Sequence, residues 1–445
     1  MNKIIPSQLH LKEIESIDTT LSMKFFLCLL VLPSLLFGQD ALFIHVRTEG
    51  ELVPLHLTSL EVNNCPFSQT YRIKLEKILQ FDLTHNGKSY LQNEKERSYG
   101  AIQWNIEGKK LLVVCHIHHN QQTKSIEVEL IGDLTKDRQK IHQISDALSF
   151  ILFGQKGIAT SRILYTVRKR SSQKSDTWKT EVFQCDYDGA NPQQITFDGC
   201  LAVTPSYIPP KKGRSGSFLF VSYAIGQPKL FAGSLRSKEK TRLSYLPGNQ
   251  LTPAISPQGD YIAFISDATG NPELFLQNFD RAKGIVGKPR LIFASLAGAQ
   301  GCPAFSPDGQ QIAFVSNKDG RPRIYLMTIP QKGLGKALMI TKKALANTSP
   351  AWSPDGTKLA YSGTYQGIRQ IWIYDFQTQE EWRLTSGTQH KENPSWASNS
   401  LHLVYNTCTD DESELYLIDL NRREPQKISF GPGEKQFPSI ERLSS

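Results

Sequence analysis

Three neighbouring histidines are the residues in this chain that most readily suggest chemistry. His116 and His118 are two positions apart, so in an extended strand both side chains would lie on one face, as a pair of metal ligands does. No third ligand follows at a suitable spacing. The sequence therefore predicts a polar strand face at His116, no bound metal and no cofactor.

Two other motifs resemble catalytic loops but lack residues that the chemistry needs. Residues 213–217 miss the Gly-x-Ser-x-Gly pattern of a nucleophile elbow at its last position. The pairs Gly287-Lys288 and Gly335-Lys336 lack both the leading glycine and the following Ser or Thr of a phosphate-binding loop. The sequence therefore predicts no catalytic residues, and the protein is predicted not to be an enzyme.

A repeat fills the second half of the chain. The pattern Ser-Pro-Asp/Gln-Gly begins at Ser256, Ser306 and Ser353, and an apolar run follows each copy. A proline stands before each copy, and weaker copies extend this series to Pro205, Pro253, Pro303, Pro350, Pro394 and Pro438. The intervals of 44 to 50 residues match the length of one four-stranded blade of a β-propeller.

Each copy is predicted to contain four strands, a to d. In the turn after strand a, proline presets φ, aspartate bonds the backbone and glycine accepts a positive φ. The b strands are predicted to begin near Arg162, Ser217, Tyr261, Gln311, Lys358 and Leu401. The last strand a, at Phe437–Ile440, would complete the first blade and remove its exposed edge. The fold class is therefore mainly β, a six-bladed propeller over residues 157–445 closed by its C-terminal strand.

Residues 39–156 carry no copy of the repeat and are predicted to form a small α/β domain ahead of the propeller. The predicted strands are Phe43–Val46, Gly100–Trp104, Leu111–Ile117 and Ile126–Ile131. Leucine and isoleucine at helical spacing predict helices at Tyr71–Leu79 and Gln139–Phe153.

Residues 1–38 are predicted to be a leader. Met23-Lys24 precedes an apolar run from Phe25 to Phe37, which is typical of a signal peptide that starts at Met23 and is cleaved near Gly38. The leader contains equal numbers of acidic and basic residues, so the exported part keeps the net charge of +9. This charge favours acidic partners or anionic surfaces. Because the protein is predicted to be exported, nucleic acid is not expected as a partner.

Six cysteines follow the leader without a Cys-x-x-Cys motif. In an oxidising compartment an even number permits disulfides, but the wide spacings favour small buried residues over a disulfide framework. Cys185 with Cys200 is the pair to test first.

The predicted strand order sorts the loops onto two ends of the propeller. The a–b and c–d connections share the end that the α/β domain must occupy, together with basic clusters that are either a solvated rim or an anionic docking site. The d–a and b–c connections share the other end, which is free for a partner. Its mouth is predicted from the segments that enter strand a, and the candidate partner-binding residues are Asn249, Gln250, Thr252, Gln300, Gly301, Thr348, Ser349, Glu392, Asn393 and Gln436. Such polar and small groups with few charges are typical of a protein interface.

The junction between the two predicted domains resembles the TolB family. The residues concerned are Leu152-Phe153-Gly154, Ser161 to Tyr165, and the turn Asp186 to Asn191. The Ser-Pro-Asp-Gly repeat alone is less specific, because propellers of peptidases share it. A leader, a small α/β domain and a six-bladed propeller, in that order, resemble the family over the whole exported chain.

The resemblance implies a periplasmic scaffold of the Tol-Pal system. Such a protein binds Pal, a peptidoglycan-associated lipoprotein, and links it to inner-membrane Tol proteins such as TolA, for outer-membrane integrity and constriction during division. Association with the outer membrane would then be peripheral, through Pal. The family receives Pal on the free propeller face, which corresponds to about Asn249, Thr252 and Gly301 here. Gln39 to Arg47 departs from the TolA-binding segment of the family, so the sequence leaves TolA binding open.

A propeller enzyme of the periplasm is the alternative function. A peptidase would need a nucleophile elbow and a hydrolase domain, and a metal-dependent lactonase or dehydrogenase would need inward carboxylates or histidines from several blades. The strand-a positions repeat Pro, Ala, Trp and Phe instead. Loops could still assemble a titratable cluster in the channel, so this alternative stays open at the level of the sequence.

Overall fold

The computed structural model describes residues 50–170, 178–409 and 412–442. The predicted leader and the predicted strand Phe43–Val46 lie outside these ranges. The described residues belong to one compact unit that contains both the α/β region and the propeller. The predicted domain boundary between residues 156 and 157 stays a prediction.

The N-terminal region is a mixed sheet with two helices. Its elements are β1 Val53–Leu57, β2 Glu61–Asn63, α1 Gln69–Thr84, β3 Ser89–Gln92, β4 Gly100–Glu107, β5 Lys110–Ile117, β6 Gln122–Glu129 and α2 Leu134–Phe153. The sheet order is β3-β1-β4-β5-β6, and β2 also pairs with β4. Strand β1 is parallel to β3 and β4, whereas β4, β5 and β6 are antiparallel. Leu75 and Leu79 of α1 and Ile141 and Leu148 of α2 pack with the sheet in one core.

Both helices begin earlier than their apolar spacing predicted because polar caps precede the apolar residues. The hydroxyl of Ser68 accepts a hydrogen bond from the Tyr71 amide at 3.3 Å. The carboxylate of Asp133 accepts from the amides of Thr135 and Lys136. These bonds satisfy amides that have no partner within the first helical turn. Helix α2 ends at Gly154, whose φ of 66° is readily adopted only by glycine.

The propeller consists of six four-stranded antiparallel sheets, as the repeat predicted. Strand a of blade 1 is Glu434–Ile440, followed in order by Arg162–Arg170, Trp178–Asp186 and Gln193–Gln194. Blade 2 contains Ala202–Tyr207, Ser217–Ser222, Lys229–Ser234 and Lys240–Arg242. Blade 3 contains Gln250–Ile255, Tyr261–Ser266, Glu273–Asp280 and Gly284–Phe293.

The other three blades follow the same order. Blade 4 contains Gln300–Phe305, Gln311–Ser316, Arg323–Thr328 and Ala337–Met339. Blade 5 contains Asn347–Trp352, Lys358–Tyr365, Ile368–Asp375 and Glu380–Arg383. Blade 6 contains His390–Trp396, His402–Cys408, Leu415–Asp419 and Gln426–Lys427. The six b strands begin at the predicted positions, within one residue.

The C-terminal strand closes the ring. Gln436 lies opposite Thr166 and Ile440 opposite Ile163, in antiparallel register with strand b of blade 1. The amide of Glu441 continues the pairing by donating to the Arg162 carbonyl at 2.7 Å. The predicted closure of the first blade by the last strand is confirmed.

An aromatic pair holds strands b and c together in every blade. The pairs are Tyr165–Phe183, Phe220–Phe231, Phe264–Phe275, Phe314–Tyr325, Tyr361–Trp372 and Tyr405–Tyr416, each directly opposite in register. Their ring centroids are 5.8 to 6.4 Å apart. Cross-strand aromatic pairs at this spacing stabilise a sheet by about 0.5–1.5 kcal/mol each beyond the area they bury.

The α/β region contacts the end of the propeller that carries the a–b and c–d connections, as the strand order predicted. Asp82 of α1 accepts hydrogen bonds from His142 and Ser145 of α2, at 2.8 and 2.7 Å, and from the Tyr187 hydroxyl of blade 1 at 2.6 Å. All four side chains are buried. Arg138 of α2 forms ion pairs with Asp186 and Asp188 in the same blade-1 turn.

Blade 6 completes this contact at the C-terminal end of α1. Arg422 and Asn421 donate hydrogen bonds to the carbonyls of Thr84 and Gly87, at 3.0 and 2.8 Å. A cation near the last helical carbonyls is favourable, because these groups carry the negative end of the helix dipole. The α/β region is therefore held to blades 6 and 1 and leaves the end with the d–a and b–c connections uncovered.

Candidate partner-binding face of the propeller

Strand a of every blade carries a β-bulge beside the central channel. Across the bulge, strand a advances three residues while strand b advances two, for example from Leu251 to Ala254 opposite Ile265 to Ala263. The same shift interrupts the a–b pairing of all six blades. Proline has no N–H to donate to a sheet and is tolerated at a bulge. The repeat proline therefore marks the point where each strand a is kinked.

The residue before each repeat proline has a left-handed backbone. The six positions have φ between 43° and 53° and are Thr204, Thr252, Cys302, Ser349, Asn393 and Phe437. None of them is glycine, so each conformation costs on the order of 1–2 kcal/mol. Strained residues of this kind cluster at functional surfaces, where the surrounding structure holds them in place.

These six residues and the six prolines form the mouth of the channel at the uncovered end. They line a cavity of about 180 Å³. A second cavity of about 390 Å³ lies beyond the prolines and is lined by small strand-a residues such as Ser206, Ala254 and Ala304. Among the described residues that line the two cavities, none is Asp, Glu or His.

Hydrogen bonds connect the mouth residues of neighbouring blades. The amide of Cys302 donates to the Thr252 hydroxyl at 3.2 Å, and the Ser349 hydroxyl donates to the Asn393 side chain at 3.0 Å. The side-chain amide of Asn393 donates to Asn406 at 2.9 Å, and Asn406 also accepts from the Phe437 amide at 3.3 Å. Because each bond joins two blades or two strands, the ring presents a preorganised surface rather than separate flexible loops.

A buried lysine is the second residue of strand a in two adjacent blades. Lys391 of blade 6 donates to the Gln389 carbonyl at 2.9 Å, and burial together with the nearby Arg383 lowers the pKa of its ammonium to about 8. The corresponding Lys435 of blade 1 forms an ion pair with Glu414 at 3.2 Å. These side chains lie inside the rim of the mouth and do not add exposed charge to it.

Eight of the ten predicted partner-binding residues lie at or beside the mouth. Thr252, Ser349 and Asn393 line it directly. Gly301, Thr348, Glu392 and Gln436 each immediately precede a residue that lines it. Asn249 lies just before strand a, where its amide and side chain bond to the Asp267 carboxylate.

Gln250 and Gln300 were predicted as partner-binding residues of the mouth, but their side chains do not reach the surface. Their exposed fractions are 0% and 5%. The amide group of Gln250 donates to the Leu246 carbonyl, and that of Gln300 donates to the Gly298 carbonyl. Both side chains hold the connection that leads into their own strand a, so they support the mouth and do not line it.

Thr204, Cys302 and Phe437 line the mouth but were not among the predicted site residues. The signal that finds them is their place directly before a repeat proline, shared with Thr252, Ser349 and Asn393. The sequence alone places the proline, but it does not show that the preceding residue adopts the strained conformation and turns toward the channel.

His116 and His118 form hydrogen bonds in separate places. Strand β5 ends at Ile117, so His118 lies in the following turn and not on the strand face predicted for it. His116 bonds to the Thr123 hydroxyl at 3.0 Å, and His118 to the Ser98 carbonyl at 2.8 Å.

One group in the described part of the chain could hold a metal ion by distance alone, and sequence reasoning missed it. It consists of His142, Asp186 and Asp188, at the contact between α2 and blade 1. The guanidinium of Arg138 forms ion pairs with both aspartates and supplies the positive charge that they need. The arrangement therefore stabilises the contact between the two regions.

Cys185 and Cys200, the pair to test first for a disulfide, both hold free thiols, and burial raises the pKa of both thiols. Arg214 belongs to one of the predicted basic clusters, with Lys211 and Lys212. It pairs with Glu441 at 2.7 Å, so part of the charge of this cluster is paired next to the C-terminal strand. No helix in the described ranges combines the length and the apolar character needed to cross a membrane.

The family description "TolB beta propeller domain" matches residues 151–443. A "Protein TolB homolog" of Protochlamydia amoebophila is 44% identical over 384 residues, which cover 80% of this chain and 82% of that protein. The chain belongs to the TolB family. A TolB homolog of Chlamydia trachomatis serovar L2 is 37% identical over 371 residues, covering 83% of this chain and 84% of the relative.

A solved structure supports the fold of this TolB family chain. The crystal structure of TolB from Acinetobacter baumannii superposes with a TM-score of 0.72 at 19% identity, covering 88% of this chain and 97% of that one. At this level of identity the likeness concerns the fold: a propeller with a smaller region ahead of it, as described above.

Proposed function

We propose that the chain is a non-enzymatic scaffold of the Tol-Pal system that docks a Pal-like peptidoglycan-associated lipoprotein on its uncovered propeller face. It would act in the periplasm, associate with the outer membrane through Pal, and link Pal to inner-membrane Tol proteins, with TolA as a candidate. Membership of the TolB family supports the system, and the geometry of the face supports the docking site.

The observation that carries the proposal is the ring of kinked a strands at the one end of the propeller that the α/β region leaves free. Six backbones are held in a strained conformation. Hydrogen bonds between blades join Cys302 to Thr252, Ser349 to Asn393, and Phe437 to Asn406. A surface fixed before binding loses little conformational entropy when a partner docks. The residues that line the channel offer hydroxyl, amide, thiol and apolar groups and the guanidinium of Arg442, but no carboxylate or imidazole among the described residues. Such a lining suits recognition better than acid–base catalysis.

Arginine substitutions at the mouth test the docking site. A Cβ at Gly301 would lie 3.8 Å from the Val315 side chain, and Thr252 already carries a side chain in this backbone conformation, so both positions admit a longer residue. Thr252→Arg/Gly301→Arg is expected to weaken capture of Pal from envelope extract at least tenfold, because two guanidinium groups would fill the mouth.

The control variant is Gln331→Arg, which lies exposed in the c–d connection of blade 4 at the opposite end. It should capture Pal as the unchanged chain does. Full retention of Pal by a folded double variant, with circular dichroism and melting temperature unchanged, would reject this face as the docking site.

A further inference from the structure

The free face of the propeller is chemically uneven around its rim. In every blade, the residue that stands five positions before the first buried residue of the next blade's strand a has the same structural place. It is aromatic in the adjacent blades 6, 1 and 2, as Phe430, Phe197 and Tyr245. It is polar in the other three blades, as Ser295, Lys342 and Ser386.

The three aromatic side chains are exposed. Phe430, Phe197 and Tyr245 have exposed fractions of 70%, 56% and 72%. The position before each of them is Ser429, Thr196 or Ser244, all buried. In blades 6 and 1 the hydroxyl at this position accepts a hydrogen bond from an amide of strand c, at 2.8 Å in both cases. The backbone is thereby fixed one residue before the aromatic ring, so the ring is held outward and not buried in its own blade.

Strands b and c of blade 1 extend further at the free end than those of blade 2. Strands b and c of blade 1 are nine residues long, three more than those of blade 2, and their pairing continues up to Arg170 opposite Trp178. The extension carries Arg168, Arg170 and Trp178 beyond the level at which strand b of blade 2 ends. The guanidinium carbons of Arg168 and Arg170 lie 4.0 and 5.2 Å from the centre of the Trp178 ring.

Cations cover the other aromatic rings of blades 1 and 2 in the same way. Lys238 lies 4.7 Å from the centre of the Phe197 ring, and Arg242 lies 4.7 Å from the centre of the Tyr245 ring. No ion pair between described residues engages Arg170, Lys238 or Arg242. Of the nearby carboxylates, Asp198 pairs with Lys240 at 2.5 Å, Glu181 accepts from the Gly199 amide, and Glu434 pairs with Arg168 at 3.3 Å. The exposed Glu412 lines the same surface cavity as Arg170 and Trp178.

We propose that this aromatic–basic arc, formed by Phe430, Arg170, Trp178, Phe197, Arg242 and Tyr245, binds an acidic, extended protein segment beside the mouth. Exposed aromatic residues supply apolar contact at low entropic cost. The guanidinium groups of Arg170 and Arg242, which form no ion pair between described residues, can bind carboxylates in a bidentate manner. The assignment does not depend on which protein docks at the mouth itself.

The stacking favours a protein segment over single-stranded nucleic acid. A nucleic-acid platform needs free aromatic faces on which bases can stack. Here cations lie over the rings of Trp178, Phe197 and Tyr245, whereas Arg170 forms no ion pair between described residues and can still receive a carboxylate. Opposite charges at an exposed rim also steer association, an effect that salt screens.

A fluorescein-labelled (Glu-Glu-Phe)4 peptide is the probe for this surface, with (Gln-Gln-Phe)4 as the neutral counterpart. Fluorescence anisotropy on the intact chain in 50 mM salt should give a Kd for the acidic peptide at least tenfold lower than for the neutral one. The variant Arg170→Gln/Arg242→Gln should raise the Kd at least tenfold. The double variant Lys342→Gln/Lys343→Gln removes the same charge from the polar half of the rim and should stay within twofold.

The apolar part of the arc is tested at the repeat position itself. Phe430→Ala/Tyr245→Ala should raise the Kd at least threefold, whereas Ser295→Ala/Ser386→Ala, at the same place in blades 3 and 5, should leave it within twofold. Equal losses in arc and control variants, or equal binding of the neutral peptide, would overturn the proposal. Tighter, arc-dependent binding of a dT12 oligonucleotide would also overturn it, in favour of nucleic acid.

Failure of this proposal can be told apart from failure of the docking site at the mouth. Thr252→Arg/Gly301→Arg should leave peptide binding at the arc within twofold. If the mouth variants lose Pal and the arc variants bind the peptide as well as the unchanged chain, only the arc is rejected. If the arc variants lose the peptide but mouth variants keep Pal, only the docking site is rejected.

Discussion

The two ends of the propeller use polar residues in opposite ways. At the end that holds the α/β region, carboxylates and a histidine are buried against one another, with Asp82 at the centre, and the partly buried guanidinium of Arg138 pairs with two of the carboxylates. At the free end, hydroxyl and amide groups bond across blades while aromatic side chains and their cations stay exposed. The first arrangement is typical of a permanent contact and the second of a surface that binds and releases a partner.

The difference follows from what each arrangement costs when it is opened. Separating the α/β region would leave buried charges and a tyrosine hydroxyl without partners, which is strongly unfavourable. The mouth residues are bonded within the propeller whether or not a partner is present, so undocking leaves little unsatisfied. Changes at the first end should therefore act on folding, and changes at the second end mainly on binding.

The largest effect is expected from removing the carboxylate at the centre of the buried network. Asp82→Ala leaves His142, Ser145 and Tyr187 without their shared acceptor. Loss of one partner from a buried charged network costs about 3–5 kcal/mol. Urea unfolding followed by circular dichroism should show a decrease in the free energy of unfolding of this size.

The matched control is Gln80→Ala, an exposed position on the same helix, which should change the free energy of unfolding by less than about 0.5 kcal/mol. If Asp82→Ala were as stable as this control, the two regions would not be joined by the network, and the contrast between the two ends would disappear.

The sequence predicted the propeller well because its turns are chemically explicit. Proline, aspartate and glycine at fixed places gave the number of blades, the starts of the b strands and the closure by Phe437–Ile440, and the structure has all three. The aromatic pairs between strands b and c, such as Phe264–Phe275, would have given the register as well. The predicted helices were too short, because the prediction followed apolar spacing and not the caps at Ser68 and Asp133.

The site was predicted less completely, for a physical reason. Strand order places a residue at the mouth, but burial of its side chain depends on the conformation of the bulge. The repeat proline marks the place of the bulge and does not give that conformation. Gln250 and Thr252 are two positions apart, yet one is fully buried and the other lines the channel. The arc could not be predicted for a similar reason. Tyr245 is recognised as part of it only when it is compared with the equivalent residues of the other blades.

A pH experiment separates the inner rim of the mouth from its surface. The pKa of Lys391 is about 8 in the folded chain, whereas an unfolded lysine has a pKa of about 10.4. Between these values the unfolded state binds more protons, so this group makes stability rise with pH from about 8 to 10. Below pH 8 the buried charge lowers stability by up to about 3 kcal/mol.

Lys391→Met should remove this dependence and be more stable than the unchanged chain near pH 7, with the difference shrinking toward pH 10. Unfolding free energies measured at several pH values would show it. Because other groups titrate in the same range, the comparison is with Lys342→Met, an exposed lysine whose replacement should leave the pH profile parallel to that of the unchanged chain. A parallel profile for Lys391→Met would contradict the burial of this ammonium.

The smallest expected effect distinguishes strain from bonding at two equivalent mouth positions. Thr204 and Thr252 are both β-branched residues with φ near 50°, at 51° and 45°. In the described part of the chain the Thr204 hydroxyl is buried without a hydrogen-bond partner, whereas the Thr252 hydroxyl accepts from the Cys302 amide. Glycine relieves the strain at both positions but costs about 0.5–1 kcal/mol through the added freedom of the unfolded chain.

Thr204→Gly should therefore range from neutral to stabilising by about 1 kcal/mol, because nothing is lost with its hydroxyl. Thr252→Gly should be less stable than Thr204→Gly by about 1 kcal/mol, the contribution of one hydrogen bond. Melting temperatures of the two variants, measured side by side, give the difference directly. Equal melting temperatures would mean that the hydrogen bonds between blades add nothing to the ring, and that strain alone distinguishes the mouth from the rest of strand a.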